Sequence, residues 1–507
     1  FPRNCSTHAA AVVITKEPIV NYVPLRTNEG NVVTQFTKDT IESLGLLKMD
    51  FLGLRNLTVI ENAVNLIKEI RGITIDINNI DLTRKEVYEL ISSGNTDGIF
   101  QIESAGMKQF MQELKPGCLE DIIAGIALYR PGPMEQIPTY IYNKNHPEKV
   151  VYKHPLLENI LDVTYGCMVY QEQVLQIVRT LAGYSLGKAD NLRRVISKKK
   201  VDAMRTEREN FIYGLKDESG NVIIPGAVAN GTDEKTAISI FDEISDFANY
   251  AFNKSHAAAY AYVAYQTAYL KTFYPAEYMA SLISSIEDIS KVNEYIINFK
   301  KMGISMLPPD INKSDSGFTV EGNGIRFGLS AVKNVGKSFI SNLTEKRRKD
   351  GEFKSLTDFC KRLCGPELNK RAVEGLIHCG AFDSLGHRRS QLISIYETVI
   401  DDVNQSKRSN VAGQLSLFGD EEDISDILPD IPEYDKNTIL CMEKQSIGMY
   451  LSGHPLEEHI DKISKITSVN IGSILRAGEK DENGGQINPD SGIRDNDFLT
   501  ICGIITR

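Results

Sequence analysis

Residues 45–54 read Gly-Leu-Leu-Lys-Met-Asp-Phe-Leu-Gly-Leu, a short apolar stretch between glycines that carries two charged residues. Such a stretch is typical of a β-strand, in which side chains alternate between two faces. Lys48 and Asp50 therefore share one face, and a second strand is predicted over residues 9–14. The side chains expected to face a core on the other side are Leu47, Met49 and Phe51.

Lys48 and Asp50 leave two interpretations open. The simpler is an exposed strand face with a local ion pair. The other is a metal-binding aspartate beside a lysine that contacts phosphate, because phosphoryl transfer needs carboxylates for divalent cations and a cation to offset phosphate charge. One carboxylate cannot hold two metal ions, and residues 1–49 contain no Asp-x-Asp on a predicted strand.

The rest of the chain is predicted to be mainly helical. Apolar residues at helical spacing begin at Leu57, and Gly72 is expected to end that helix. Three later segments differ: two helix–turn–helix units within 325–386, a polar and acidic flexible connector over 405–439, and an apolar strand over 498–505. We expect this strand to be the start of a further β-domain.

Composition and charge set the broad class. With 507 residues, of which 42% are hydrophobic and 24% charged, the chain is long enough for several globular domains. No apolar run reaches the length of a bilayer-spanning helix and no signal peptide is recognisable, so a cytoplasmic protein is expected. The net charge of −10 is unevenly distributed, with eight acidic residues in 420–435 and a strongly basic segment at 188–200.

The eight cysteines are scattered and are expected to be reduced thiols. The one grouping worth testing as a zinc site matches no common zinc motif in its spacing. Buried thiols are therefore the favoured interpretation. The grouping consists of Cys360, Cys364, His378 and Cys379.

The basic segment predicts an anion-binding helix. Five cations lie within residues 193–200, and they repel one another unless an anion is present. Arginine binds phosphate oxygens bidentately, so a triphosphate or a nucleic-acid backbone is favoured over a merely solvated face. The cations that we expect to bind are Arg193, Arg194, Lys198 and Lys199.

A second candidate anion site is a predicted helix start at residues 252–256, Phe-Asn-Lys-Ser-His. Lys254 and His256 lie where free amides and the helix dipole attract an anion, and Ser255 is predicted to cap the helix. A tyrosine stripe follows, for which core packing is favoured over base stacking. Its members are Tyr262, Tyr265 and Tyr269.

Two tight turns between predicted helices are typical of helix–hairpin–helix units, which bind the DNA backbone through turn amides without reading sequence. The alternative is a packed helical pair without a binding role. The first turn holds Lys333, Asn334, Gly336 and Lys337, and the second holds Gly380.

A short apolar peptide precedes the acidic run. Apolar side chains in a polar connector have no local core to join, so they predict a docking peptide that becomes ordered on binding. Its residues are Gln414, Leu415, Leu417 and Phe418.

In order along the chain, these segments resemble the alpha subunits of bacterial DNA polymerase III, the C-family polymerases. The resemblance covers nearly the whole sequence. The motifs that carry it are Ser-Thr-His-Ala-Ala at 6–10, Val-Thr-Gln-Phe at 33–36, the stretch at 45–54, Thr-Asp-Gly-Ile-Phe-Gln at 96–101, Leu-Tyr-Arg-Pro-Gly-Pro-Met at 128–134, Met-Val-Tyr-Gln-Glu-Gln at 168–173, the basic segment at 189–200, residues 252–256, and Tyr-Leu-Ser-Gly-His-Pro-Leu at 450–456.

The resemblance implies a multidomain and predominantly α-helical architecture. Its parts would be the end of a nucleotidyltransferase-like α/β palm at 1–56, helical fingers at 57–306, a tandem helix–hairpin–helix and clamp-binding region at 307–425, a connector at 426–497, and the first strand of a truncated OB-fold at 498–507.

The resemblance also implies template-directed DNA synthesis from dNTPs by two-metal nucleotidyl transfer, with two Mg²⁺ ions in the intact enzyme. Asp50 would be a catalytic, metal-binding aspartate and Lys48 a triphosphate contact, while the two candidate anion sites would bind nucleotide. The implied partners are primer–template DNA, dNTP, the sliding clamp (beta subunit) on residues 414–418 and other replisome subunits, without a membrane.

Two further catalytic aspartates of that family would precede residue 1. The 507 residues are therefore expected to be a fragment that binds nucleotide, DNA and clamp without catalysing. A non-catalytic DNA- and clamp-binding module is the alternative. A helix–hairpin–helix repair enzyme is a more distant one, because it would leave the basic helix unexplained.

Overall fold

The computed structural model describes residues 7–8, 10–28, 30–51, 53–130, 132–197, 201–248, 252–410, 426–478, 493–494 and 497–504. The chain divides into two compact units, residues 1–58 and 59–507. In the described ranges, no helix combines the length and apolar character needed to cross a lipid bilayer.

The first unit is built from two antiparallel hairpins and one helix. In chain order its elements are β1 (Ala11–Ile14), β2 (Leu25–Asn28), β3 (Asn31–Thr34), α1 (Lys38–Ser43) and β4 (Leu47–Asp50). β1 pairs with β4, which confirms both predicted strands, while the β2–β3 hairpin was not predicted.

One expectation for β4 was wrong. Leu47, Met49 and Phe51 were expected to face a core, but they are 54%, 40% and 59% exposed. The physical reason is that β4 pairs only with β1 in the described residues, and a two-stranded ribbon has no second layer to cover its apolar face.

The following stretch is helical, as predicted. Its elements are α2 (Arg55–Arg71), α3 (Lys85–Ser92), α4 (Ala105–Leu114), α5 (Leu119–Leu128), α6 (Ile137–Asn145), α7 (Glu158–Leu161), α8 (Gln171–Ala182), α9 (Leu186–Ser197), α10 (Val201–Tyr213), β5 (Leu215–Lys216), β6 (Val222–Ile224), α11 (Glu234–Ala248), α12 (Lys254–Phe273), α13 (Pro275–Ser284) and α14 (Ile289–Lys301). Gly72 follows α2 with a φ of 69°, the left-handed conformation that ends helices.

The C-terminal part begins with a small mixed sheet in the order β7–β9–β8, where β7–β9 is parallel and β8–β9 antiparallel. Its elements are β7 (Ser305–Leu307), β8 (Thr319–Glu321), β9 (Gly324–Arg326), α15 (Lys337–Asp350), α16 (Leu356–Leu363), α17 (Lys370–His378), α18 (Arg389–Asn410), α19 (Lys436–Ile447), α20 (Ile460–Ile466) and α21 (Ile471–Gly478).

Three apolar cores support the second unit. The largest joins α2, α13 and α14 to the sheet and to α15–α19. The second joins α3–α6 to α12, and the third lies among α7–α11. α12 contributes to two of them, because Leu270 lies in the first core while Ala257 and Tyr265 lie in the second.

The predicted flexible connector at 405–439 is ordered wherever the structure describes it. α18 continues through Asn410, and α19 begins at Lys436. Between them, Asp426 accepts hydrogen bonds from the first amides of α16, and Glu433 accepts from the first amides of α18. The acidic residues therefore cap helices rather than only solvating a linker.

The predicted strand at 498–505 does not form in its described part, residues 498–504. Thr500 O accepts a hydrogen bond from Ser468 N at 3.1 Å, and Thr500 N donates to Ser468 Oγ. A strand needs a continuous ladder with a neighbour, and this single contact does not supply one.

Candidate functional site

Asp50 and Lys48 lie on the same face of the β1–β4 ribbon, opposite Ala11 and Val13. Lys48 Nζ lies 2.5 Å from Asp50 Oδ1, and this hydrogen bond lowers the pKa of the Asp50 carboxyl. The Lys48 side chain is 14% exposed and that of Asp50 is 42% exposed. Asp50 is therefore an accessible carboxylate that is held ionised by its lysine neighbour.

Asp50 has the donor chemistry that Mg²⁺ prefers, but it does not make a two-metal site alone. Across the ranges that the structure describes, no group of three or more His, Cys, Asp or Glu side chains could hold a metal ion. In the grouping considered for zinc, Cys360 and Cys379 are buried and Cys364 is partly buried. Burial raises the pKa of the Cys360 and Cys379 thiols to about 12 in each case.

Two arginines of helix α9 are held in place by one shared carboxylate. Asp190 accepts from Arg193 at 2.9–3.0 Å and from Arg194 at 2.9 Å, which lowers the pKa of Asp190. Buried Ala189 and Leu192 fix the other side of the helix in the third core. Lys198 and Lys199, two further candidates on this segment, lie outside the described residues.

The start of α12 is capped by Asn253 and not by Ser255 as predicted. The Asn253 side chain accepts from His256 N at 2.9 Å. Glu172 from α8 accepts from Asn253 Nδ2 and from Lys254 N, so a carboxylate already occupies this helix terminus. Lys254 Nζ lies 3.3 Å from Glu120 and 5.3 Å from the centre of the Tyr170 ring.

The structure brings the two candidate anion sites together through one backbone junction. Tyr170 forms a parallel bridge with Phe252, and Gln171 N donates to Phe252 O at 2.9 Å. Gln171 Oε1 in turn lies 3.5 Å from Arg193 Nη1. In the sequence, α9 and the start of α12 are separate motifs, and their proximity arises only in the fold.

A column of stacked side chains, which the sequence did not predict, leads away from this junction. The Arg130 guanidinium lies 3.6 Å from the Phe252 ring centre, and Phe252 meets His256 edge-on. His256 stacks on Tyr260 at 4.3 Å, and Tyr260 contacts Phe100. Burial lowers the pKa of Arg130.

The far end of this column rests on the loop at 95–103, which is fixed from several directions. Buried Lys271 donates to Asn95 O and Asp97 O, and Tyr278 donates to Gly98 O at 2.6 Å. Gln101 takes a φ of 66°, which is uncommon for a residue other than glycine. Phe252 and Tyr260 of this column pack against the second core. Tyr265, a member of the predicted tyrosine stripe, is fully buried in that core.

The two predicted hairpins differ in exposure. In the first, a short 3-10 helix (Leu329–Ala331) precedes an exposed turn and α15, whose N-terminus has no side-chain cap. Lys333, Asn334, Gly336 and Lys337 are all exposed there.

The second hairpin turns inward. Gly380 is buried, its N–H donates to Ile377 O, and Arg389 fills the space beside it while donating to His378 O. The turn has no free amide to offer at Gly380, so we leave that residue out of the proposed DNA surface. The peptide residues Gln414, Leu415, Leu417 and Phe418 lie outside the described residues.

Comparison with known proteins gives consecutive matches along the chain. Residues 1–53 match the family described as "Bacterial DNA polymerase III alpha NTPase domain", and residues 56–219 match "Bacterial DNA polymerase III alpha subunit finger domain". Residues 303–392 match a helix-hairpin-helix motif. The chain belongs to the family of bacterial DNA polymerase III alpha subunits.

Individual relatives carry the same name. The DNA polymerase III subunit alpha of Thermus aquaticus is 46% identical over 461 residues, which cover 90% of this chain and 37% of the relative. Those of Borreliella burgdorferi and Bacillus subtilis are each 41% identical and cover 94% of this chain. The chain spans about two-fifths of the length of the curated relatives it matches, namely 37%, 41% and 42%.

The two hairpin glycines should respond differently to alanine. Gly380→Ala is expected to destabilise the protein by at least about 1 kcal/mol, because a φ of +82° disfavours a side chain and the new Cβ would collide with Nη2 of Arg389. Gly336→Ala is the matched control, since Gly336 has a φ of −78° and open space around it. Urea unfolding of both variants measures the difference; equal midpoints would contradict the assignment of a structural turn to Gly380.

Proposed function

We propose that this chain grips nucleotide and DNA in a replicative, template-directed DNA polymerase that joins dNTPs to a primer by nucleotidyl transfer. The single observation that carries the proposal is the order of the matches along one chain: NTPase domain, finger domain and helix-hairpin-helix motif. A cation-bearing helix joined to an aromatic column supports it physically, since a nucleotide offers phosphates at one end and a flat base at the other.

For the nucleotide, the proposed triphosphate contacts are Arg193 and Arg194, with Lys198, Lys199 and Lys254 as further cations. Asp190 holds both guanidiniums on one side of α9 before any ligand arrives, which reduces the conformational entropy lost on binding. His256 and Tyr260 provide the stacking surface for the base or sugar. Glu172 would be in competition with phosphate for the α12 amides.

Removing the two arginines should weaken the binding of a nucleoside triphosphate but not that of the nucleoside, which has no phosphate. Arg193→Ala with Arg194→Ala is expected to lower dATP affinity at least about tenfold, because each lost charged hydrogen bond is worth about 1.5–3 kcal/mol, and to leave weak deoxyadenosine binding unchanged. Fluorescence titration with a labelled dATP measures this.

The control is Arg371→Ala, which removes an exposed arginine on α17. Nucleotide affinity that falls equally in the control and in the α9 variant, or that does not depend on the triphosphate, would refute the proposed site.

For DNA, the proposed contact is the first hairpin. Lys333 and Lys337 flank an exposed turn, and the uncapped N-terminus of the 14-residue helix α15 directs free amides outward at Gly336. Such a turn binds phosphate oxygens without reading bases. The match to a helix-hairpin-helix motif supports this role.

For catalysis, we propose Asp50 as one metal-ligating carboxylate and Lys48 as a triphosphate contact. The purified 507-residue chain is expected not to extend a primer, because one carboxylate does not hold two metal ions. A gel assay with primed template, dNTPs and Mg²⁺ measures extension, with the B. subtilis relative as positive control. Robust, template-dependent synthesis that Asp50→Asn abolishes would disprove the expected inactivity.

For the partner, we propose that residues 414–418 dock on the sliding clamp. Leu417→Ala with Phe418→Ala is expected to abolish clamp retention, because the apolar pair would supply most of the buried area in so short a peptide. Surface plasmon resonance against immobilised clamp measures it, with Asp420→Ala and Glu421→Ala as a control in the adjoining acidic run. Unchanged clamp binding by the Leu417 and Phe418 variant would contradict the proposal that residues 414–418 dock on the clamp.

A further inference from the structure

The turn at residues 450–456, Tyr-Leu-Ser-Gly-His-Pro-Leu, lies beyond the matched helix-hairpin-helix segment and has so far been given no role. It is fixed on a buried carboxylate. Glu443 Oε2 accepts from Leu451 N at 2.8 Å and from Ser452 N at 3.0 Å. The other oxygen of Glu443 lies 3.3 Å from Arg389 Nη1, and the Glu443 side chain is 1% exposed.

The C-terminal end of α19, which precedes this turn, is hydrogen-bonded to the first hairpin. Lys333 N donates to Ser446 O, in the last turn of α19, at 2.9 Å. On its other side, the Lys333 carbonyl lies close to Gly375 of α17, where an added Cβ would be 3.1 Å from the oxygen. The exposed hairpin turn and the end of α19 therefore hold a fixed position relative to each other.

The helix that contacts the hairpin through Ser446 carries a further cation, Lys444, two residues earlier. Lys444 is exposed, and its Nζ lies 5.4 Å from the centre of the Tyr450 ring. Tyr450 in turn meets His454 edge-on at 5.6 Å. A cation over an aromatic face is held by the ring quadrupole, so Tyr450 restricts where the Lys444 ammonium lies.

Two acidic side chains of this region pair with cations other than Lys444. Glu443 is buried against Arg389, and Glu457 pairs with Lys436 at 3.2 Å. Lys333, Lys337 and Lys444 form no ion pair in the part of the chain that the structure describes. Cations without ion pairs on two segments joined by a hydrogen bond repel one another, and a polyanion relieves that repulsion.

We propose that Lys444, positioned over Tyr450, extends the DNA-binding surface of the first hairpin to a further phosphate of the nucleic-acid backbone. The proposal rests on the proposed DNA contact of that hairpin and adds a partner site outside it. The recognised chemistry is a phosphodiester, which either duplex DNA or the single-stranded template can supply. Lys444 is the contact, and Tyr450 is a positioning residue.

The experiment measures DNA affinity of the full 507-residue chain by fluorescence anisotropy across a salt series, with a labelled duplex and a labelled single strand. Lys444→Ala is expected to weaken binding several-fold at low salt. It should also reduce the slope of log affinity against log salt by about 0.9 on duplex or about 0.7 on single strand, the value for one lost phosphate contact. Tyr450→Leu should give a smaller loss in the same direction, and Tyr450→Phe should retain wild-type binding because the ring remains.

The matched control is Lys301→Ala, which removes an exposed lysine in the last turn of α14. Lys333→Ala with Lys337→Ala tests the hairpin itself. If the hairpin variant loses affinity while Lys444→Ala behaves like Lys301→Ala, the inference is overturned and the hairpin contact stands. If the wild-type chain binds no DNA, or the hairpin variant binds as tightly as wild type, the proposed function of the hairpin fails instead. Comparing the affinity loss of Lys444→Ala on the duplex with that on the single strand identifies which of the two supplies the phosphodiester.

Discussion

The proposed nucleotide surface depends on the junction between the start of α8 and the start of α12. The main chain at Gln171 bonds to Phe252, and the Glu172 carboxylate takes up the first free amide of α12. These contacts are short and local, but they join segments about eighty residues apart in sequence. Together with the contact from Gln171 to Arg193, they fix α9 relative to the aromatic column that passes through Phe252.

Hydrogen bonds from backbone amides to carboxylates of another segment also organise the C-terminal part. Carboxylates reach across from one segment to satisfy the free amides of another: Asp426 on α16, Glu433 on α18, and Glu443 on the turn at 450–456. Leaving such amides buried and unpaired would cost about 1–3 kcal/mol each. These three acidic residues thus have structural partners, so net charge alone is a poor guide to the binding surfaces of the chain.

Local pattern was enough to predict much of this architecture. Helical spacing from Leu57, the glycine stop at Gly72 and the two strands of the β1–β4 ribbon all appear in the structure. The β8–β9 hairpin was missed although its two-residue loop, Gly322-Asn323, is a recognised hairpin signal. The Gly-Asn pair alone therefore indicates this hairpin in the sequence.

Other features could not be predicted because they arise from contacts distant in sequence. Whether a turn glycine is open, as at Gly336, or filled by a neighbour, as at Gly380, depends on where Arg389 lies in space. The column from Arg130 to Phe100 likewise draws on three separate segments. For the candidate site, charge in the sequence indicated the cations and the class of ligand that they bind, but periodicity carries no information on which cations share a surface.

α12 has a mechanical consequence that follows from its length and its two cores. Twenty residues make a rod of about 30 Å, uninterrupted from Lys254 to Phe273. One end carries His256, and near the other Lys271 grips the loop at 95–103, whose Phe100 returns to touch Tyr260 on the same rod. Because the loop is attached to α12 at two points, through Lys271 and through Tyr260, the helix and the loop form one stiff frame, and a tilt of the helix would carry the loop with it.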